Sequence, residues 1–379
     1  QLRADNGNYE NNGSSISNTT FYGAELHGDS IDQRFTNTNT NNSWRGYLSY
    51  VEPLGRDNFL QLAYQYNQNF SDSDKDTRTE DVPGSGNYTV LDRDYSRRLE
   101  NNFVRQELEL NFQSIREKFD YMVGLSMQPS SSRSKTFIGD EMEAVVEQDV
   151  VNFAPMGQFN YRWSRTKNLR IRYYGNTSQP SVSQLSPVVD ISDPLNINFG
   201  NPGLKPSFEH RLNIRYRYSN PERASSINTF VNAGYMTNDV VPLTATEYST
   251  GRKITTYENI AGNWNANGRL MFNVPLKNIK FSVFSMSFVS YNHTNGFTGT
   301  YTLEDEIVDP EKINITRHKN LSKRANLSEV LGLNYRSDLL DFSLRGNVSY
   351  NNVTNSLEGQ RDQEYFNYGG NASTTLYLP

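Results

Sequence analysis

The sequence predicts an all-β fold: an antiparallel transmembrane β-barrel, or a large portion of one, with short periplasmic turns and long extracellular loops. Three observations carry that expectation. Apolar and polar residues alternate without a fault in stretches such as Leu169-Arg170-Ile171-Arg172-Tyr173 and Leu212-Asn213-Ile214-Arg215-Tyr216-Arg217-Tyr218, the pattern of a strand standing between two environments. Many of these stretches approach the roughly 9–11 residues that a tilted strand needs to cross a bilayer. Turns alternate tight and long along the chain, the tight ones falling near residues 54, 116, 166, 221, 277 and 337, as in barrels whose two rims differ in loop length. Alternation alone would also fit a soluble sandwich, so loop spacing and strand length decide between them.

Composition points the same way. The 379 residues show low mean hydropathy together with 24 Tyr and 20 Phe, which suits strands that give lipid only every second side chain. No apolar run nears the roughly 20 residues of a membrane-spanning helix. Absence of cysteine removes disulfides, thiolate metal sites and cysteine nucleophiles. A net charge of −5 favours neither a nucleic-acid partner nor a polyanionic tail. No linker divides the chain, so residues 1–379 read as one barrel domain. It is expected to be incomplete, because about 13–14 strands are counted and the last ends at Leu378-Pro379, where a tight turn should begin. Gln1 reads as the start of a mature or truncated product.

Taken in order, the first forty or so residues are rich in Asn, Gly and Thr, with one short strand expected at 19–26. Strands follow at 47–51 and 59–70, joined by the turn Glu52-Pro53-Leu54-Gly55-Arg56, and a charged loop is expected from 71 to about 98. The next hairpin places Leu108, Leu110 and Phe112 against Phe119, Tyr121, Val123, Leu125 and Met127, with a loop expected over about 129–149. Strands at 152–163 and 169–173 lead to residue 179. Beyond residue 211, strands are expected at 212–218, 227–235, 270–274, 281–291, 331–335, 340–350 and 368–378. Phe281 and Val283 sit on one parity but Phe284, Met286 and Phe288 on the other. That break predicts either a β-bulge near Val283 or a strand covered on both faces.

The stretch between Gln179 and Arg211 is unlike the rest. Its Pro180, Pro187, Pro194, Gly200, Pro202, Gly203 and Pro206 forbid a regular helix or central strand through most of it. Leu185, Val188, Val189, Ile191, Leu195, Ile197, Phe199 and Leu204 are too apolar for a solvated linker. An ordered loop packed down by its own side chains is expected. The run Leu185-x-Pro187, Asp193-Pro194-Leu195 and Gly200-Asn201-Pro202-x-Leu204-Lys205-Pro206 resembles the signature loop of TonB-dependent-receptor-like outer-membrane β-barrels of the Bacteroidetes. The GNPxLKP portion is its most specific part, and the hairpin layout extends the resemblance over most of the chain. Ser207 stands where that family usually carries an acidic residue, and Thr177-Ser178-Gln179 where an Arg is common. The resemblance implies residence in the outer membrane of a Gram-negative bacterium, a plug inside a barrel of about 22 strands, and uptake of a nutrient too large for passive pores. Outer-membrane lipid is the implied partner, with TonB and a surface lipoprotein as further ones; no ligand is named. A scaffold or assembly role for the same barrel, with the loop as a docking surface, is the rival reading, and a soluble secreted adhesin a third.

Little else carries chemistry. His27, His210, His293 and His318 show no metal-ligand spacing, and neither HExxH nor GxSxG occurs. No catalytic residue, metal or cofactor is expected. The acidic runs Glu141-Met142-Glu143 with Glu147 and Asp149, and Glu304-Asp305-Glu306 with Asp309, read as solvated loop faces rather than cation sites. Asp190 and Asp193 read as turn residues. Tyr66, Tyr173, Tyr218, Tyr235, Tyr335 and Tyr350 are candidates for interfacial girdles. Glu107, Glu109, Arg170, Arg172, Arg215, Arg217, Asp341 and Arg345 are expected to line a water-filled lumen, and Leu340, Phe342, Leu344, Val348 and Tyr350 to face lipid.

Overall fold

The computed structural model describes residues 1–22, 26–93, 95–189, 193, 195–248, 251–278, 280–302, 313–357 and 361–377; at 17–22, 26–31 and 182 it describes the backbone alone. Pro194, Asp190, the acidic run at 304–309 and Leu378-Pro379 lie outside the described residues. The chain folds almost wholly as strands: β1 (Leu2–Tyr22), β2 (Leu26–Pro53), β3 (Asn58–Glu80), β4 (Tyr88–Leu91), β5 (Arg97–Ile115), β6 (Phe119–Ile138), β7 (Glu141–Ser164) and β8 (Lys167–Ser178). One helical turn, α1 (Val182–Leu185), and the short β9 (Asn196–Asn198) occupy the Pro/Gly-rich stretch. After it come β10 (Ser207–Asn220), β11 (Ser225–Thr237), β12 (Asp239–Glu247), β13 (Lys253–Ile260), β14 (Asn263–Pro275), β15 (Phe281–Thr302), β16 (Asn314–Arg336), β17 (Leu340–Asn355) and β18 (Gln363–Leu376).

The long strands form one antiparallel meander. Each pairs with the next in the order β1, β2, β3, β5, β6, β7, β8, β10, β11, β14, β15, β16, β17, β18. Among the described residues β1 and β18 each have one neighbour, so the sheet is a partial, unclosed barrel. The six tight connections, 54–57, 116–118, 165–166, 221–224, 276–280 and 337–339, all lie at one rim.

Several expectations of loops are corrected. Residues 1–53 are not a loose segment with a strand at 19–26: β1 and β2 pair residue by residue from Leu2↔Gly46 to Tyr22↔Leu26. The loop expected at 71–98 is largely the continuation of β3 and β5, whose ladder runs on to Lys75↔Arg97, with β4 laid against the end of β3. That expected at 129–149 is likewise the extension of β6 and β7, reversed at Gly139, whose φ of 60° suits a residue without Cβ. Extensions past Tyr235, Asn292 and Tyr350 follow suit, reaching Thr237, Thr302 and Asn355, while the last strand starts at Gln363 rather than 368. Above the bilayer both faces of a strand meet water, so the sequence loses its apolar period although the backbone ladder continues.

No bulge occurs at Val283. The registers of β15 with β14 and β16 run unbroken past it, while shifts occur at Thr79/Glu80, Thr136/Phe137 and Arg162/Ser164. The parity break has the other cause: Val283 faces outward beside Leu333, and Phe284 faces inward, under the Arg345 guanidinium at 5.8 Å from its ring centroid.

Candidate functional site

Following the ladders sideways separates two faces. Tyr121, Phe159, Ile171, Ile214, Val231, Gly268, Val289, Leu327, Tyr350 and Phe366 stand side by side across ten strands. One residue along, Asp120, Asn160, Arg170, Arg215, Phe230, Arg269, Phe288, Ser328, Ser349 and Asn367 form the neighbouring row, which the strand period of two assigns to the opposite face. The first face is apolar and open, with Leu62, Leu110, Leu125, Leu270, Leu327, Leu331, Leu344 and Val348 all exposed. Two aromatic belts border it. Near the tight-turn rim Phe119, Tyr121, Phe159, Tyr161, Trp163 and Tyr216 touch in sequence, Tyr161 and Trp163 at 4.7 Å between ring centroids. Higher up, Phe208, His210, Tyr235 and Tyr173 form a cluster, and Trp264 stacks on Tyr291 and His293. From Tyr216 to His210 the path along β10 is roughly 20 Å at about 3.4 Å per residue, which for a tilted strand falls within the ~25 Å apolar band of an outer-membrane barrel. Of the tyrosines singled out in the sequence, Tyr173 and Tyr235 join the upper belt and Tyr335 packs at a tilt against Phe281 at the lower rim, 4.8 Å between ring centroids. His210 was legible only as an isolated histidine; its Nδ1 meets the Tyr173 hydroxyl at 2.9 Å.

The second face carries Glu107, Glu109, Arg170, Arg172, Arg215, Arg217, Asp341 and Arg345 together, as the same registers place them. Asp341, Ser343 and Arg345 share a cavity of about 570 Å³ with Asn334, Arg336 and Asn371. Charge is unevenly balanced along this wall. On β5, Glu107 accepts a 2.6 Å hydrogen bond from Gln128 and pairs with Arg105. Asp120 is taken up by Arg162 and Asn160, and Glu209 by Arg211 at 2.7 Å.

The signature stretch lies on this same face, above the band. Its residues cover a row of small hydroxyls on β6, where Ser130, Ser132, Ser134 and Thr136 are all buried. Gln179 donates to the Ser130 hydroxyl, Ser186 meets Thr136 at 3.1 Å, and Gln148 of β7 donates to the Leu204 carbonyl at 2.7 Å. On the other side, β9 pairs in parallel with β13, and β12 with β15. Ile197, Phe199, Ala245, Ile254 and Tyr301 close into a small core at this junction. Burial, with Glu247 nearby, pushes the Tyr301 phenol up to about 12, so it stays neutral at any physiological pH.

Several residues of the stretch have a local structural reason. Gly200 donates to the Ser186 carbonyl at 2.6 Å, and a Cβ there would stand 2.6 Å from the backbone of Gln184 and Ser186. Asn201 donates to the Tyr257 carbonyl at 3.0 Å and accepts from the Gly203 amide at 2.9 Å. Lys205 is bracketed by Asn259, which accepts from its amide and donates to its carbonyl. Asp193 closes a turn by accepting from the Leu195 amide and the Asn196 side chain. Leu185 and Leu204 are each 1% exposed and Pro180 is buried, whereas Pro202 stands in the open and Pro187 and Pro206 are half-buried.

A family model described as outer membrane protein beta-barrel family matches residues 1–303. The chain belongs to this family. Of the two faces, one bears the exposed leucines and the other the charged side chains. No curated protein matches the chain. Solved structures resemble the chain only at low identity. The chain resembles the Serratia marcescens hemophore receptor HasR, solved with HasA and heme, at 11% identity and a TM-score of 0.48 over 92% of its length. It also resembles the ferric citrate transporter FecA at 8% identity and a TM-score of 0.43 over 99% of its length, and the RagAB peptide importer at 8% and 0.41 over 86%. It spans 62%, 59% and 37% of those chains. None of the three is near enough to bear on ligand or mechanism.

Proposed function

We propose that this barrel serves solute uptake across the outer membrane, as the barrel part of a TonB-dependent-receptor-like transporter without catalytic chemistry of its own. The observation that supports this is the lumen wall: largely polar and charged within the membrane band, with the folded signature stretch on the same face above it. Such a wall offers many weak contacts, and passage needs binding that is not too tight. TonB and a surface lipoprotein are the partners this reading implies. The scaffold reading would draw on the exposed part of the same stretch, where Ser181, Leu195, Pro202 and Lys205 stand open to solvent. The test is a deletion of the gene in its own host, followed by uptake of radiolabelled solutes. Loss of uptake of one solute class, with normal surface levels of other envelope proteins, is the expected result. Unchanged uptake with failed assembly of those proteins would transfer the role to the scaffold.

A further inference from the structure

The lumen wall is not uniformly balanced. Arg170, Arg172, Arg215, Arg217 and Arg269 stand together on neighbouring positions of β8, β10 and β14, all with exposed side chains. Arg170 and Arg215 are direct cross-strand partners, and Phe230 separates Arg215 from Arg269 in the same row. Directly opposed like charges destabilise a sheet. Acidic groups on the wall could offset this, yet none of the five has an ion-pair partner among the described residues. The nearest candidates are committed elsewhere, Asp120 to Arg162 and Glu209 to Arg211.

What surrounds these side chains holds them without neutralising them. Arg170 donates its Nε to Asn160 at 2.8 Å, which leaves its two terminal nitrogens free. The Arg172 guanidinium lies 5.1 Å from the Tyr174 ring centroid and that of Arg215 5.8 Å from Phe230. A guanidinium held over an aromatic face keeps its N–H edge available for bidentate recognition of carboxylate or phosphate. Two cavities open on the cluster, one of about 270 Å³ bordered by Arg170, Arg172 and Arg215, the other of about 720 Å³ bordered by Arg215, Arg217 and Arg269. They share Arg215 and Phe230. A sheet that sets unpaired arginines opposite one another, in two adjoining cavities, is built for a counter-charge that arrives from outside it.

We infer that this part of the lumen wall binds a soluble anion carrying two or more carboxylate or phosphate groups, gripped between Arg170, Arg172, Arg215, Arg217 and Arg269. The site lies toward the tight-turn rim, three residues into β8 from its start at Lys167, where a solute on its way through would meet it late. The binding claim stands on the cluster; that the anion is cargo rests on the uptake reading above.

The experiment measures binding of citrate and of tripolyphosphate to the full-length protein folded in detergent, with maltose as the neutral control. Either anion should bind and raise the unfolding temperature, maltose should do neither, and binding should weaken as salt is raised. The double variant Arg170→Gln/Arg215→Gln should lose at least tenfold in anion affinity. Without anion it should unfold no earlier than wild type, because it removes a like-charge contact; Arg269→Gln offers a second, milder variant. Replacing Arg172 by Lys should give an intermediate loss, since charge is kept but the fork geometry is not. Absence of binding by both anions, or binding indifferent to the double variant, overturns the proposal. So does a double variant that unfolds earlier without ligand, for then the arginines are balanced by acidic side chains of the protein itself. Binding that persists while cells take up no anion leaves the site standing and overturns the uptake reading instead.

Discussion

Two stretches of this chain look alike in composition and fold in opposite ways. Residues 129–149 are Ser-rich and acidic, residues 179–206 are polar with scattered apolar side chains, and both read as connections. The first is a hairpin of long strands, in which Ser130, Ser132, Ser134 and Thr136 are buried while Ser131 and Arg133 stand exposed. The second is an irregular path held by backbone contacts that only glycine permits at position 200. Polarity says that a segment meets water; it does not say that the backbone stops pairing. What ends a strand is a restriction on the backbone itself, through proline or a demand for glycine. The 129–149 stretch has the one proline Pro129, paired to Val151, and the 179–206 stretch has a cluster of them.

The largest effect expected from this contrast is that of a proline placed in the serine row. Ser132 pairs with Phe103 on one side and Gln148 on the other, so Ser132→Pro removes a ladder hydrogen bond in an interior strand, where proline is essentially never accommodated, and should destabilise more than any other substitution below. Ser131→Val, on the exposed side of the same strand, should stay within about 0.5 kcal/mol of wild type. Urea unfolding of the detergent-folded protein measures both. A harmless proline would mean that the segment is a loop after all.

Within the bilayer the rule reverses, because there polarity does report which way a side chain points. Leu331 lies outward on β16, inside the apolar band, four residues above Tyr335 at the lower rim and eight below the level of Trp264 and His293. Leu331→Arg should therefore cost about 2–4 kcal/mol. Leu344, which the sequence also predicts to face lipid, sits one outward step above Phe342 and Tyr335. Near that rim an arginine can reach the interface, so Leu344→Arg should cost only about 0–1 kcal/mol, and the lumen-side Ser343→Arg no more. If Leu331→Arg unfolds no more readily than Ser343→Arg, the assignment of faces is wrong.

These cases show what was legible and why. Alternation gave the strands inside the membrane band and the tight turns, since lipid on one side and water on the other imprint a period of two. It could not give the strand extensions above the band, where both sides are water. Nor could it show that Arg170 and Arg215 are partners: each was a plausible lumen residue, but register depends on the pairing of two strands separated by the whole signature stretch. The Pro/Gly pattern did announce an ordered loop; which wall it would cover depended on Gln148 and Thr136, two residues with no distinguishing signal of their own.

Position 200 tests the backbone restriction directly. Gly200→Ala places a methyl against the backbone of Gln184 and Ser186 rather than against a movable side chain, so the loop must shift. A cost of about 1–3 kcal/mol is expected, as for overpacking elsewhere, together with faster proteolysis confined to residues 181–204. Cleavage there at the wild-type rate would mean that the glycine is not required by the path of the chain.

The smallest effect should come from the tie between the two stretches. Gln148 belongs to the extended hairpin, and its side-chain amide donates to the carbonyl of Leu204 in the signature stretch at 2.7 Å. Leu204 is buried, so removing the donor leaves its carbonyl without a partner, which alone costs about 1–3 kcal/mol. The same side chain holds a buried oxygen, Oε1, that finds no donor among the described residues, and deleting it relieves part of that loss. Gln148→Met keeps the length and removes both polar atoms, so the net destabilisation should be about 1 kcal/mol, read from the urea midpoint. Gln148→Glu sharpens the comparison, because it keeps the shape but replaces the donor by an acceptor facing the Leu204 carbonyl. It should be worse than methionine at neutral pH and should recover as acid protonates the carboxylate. Equal midpoints for the two variants would mean that the hairpin and the signature stretch pack together without this bond.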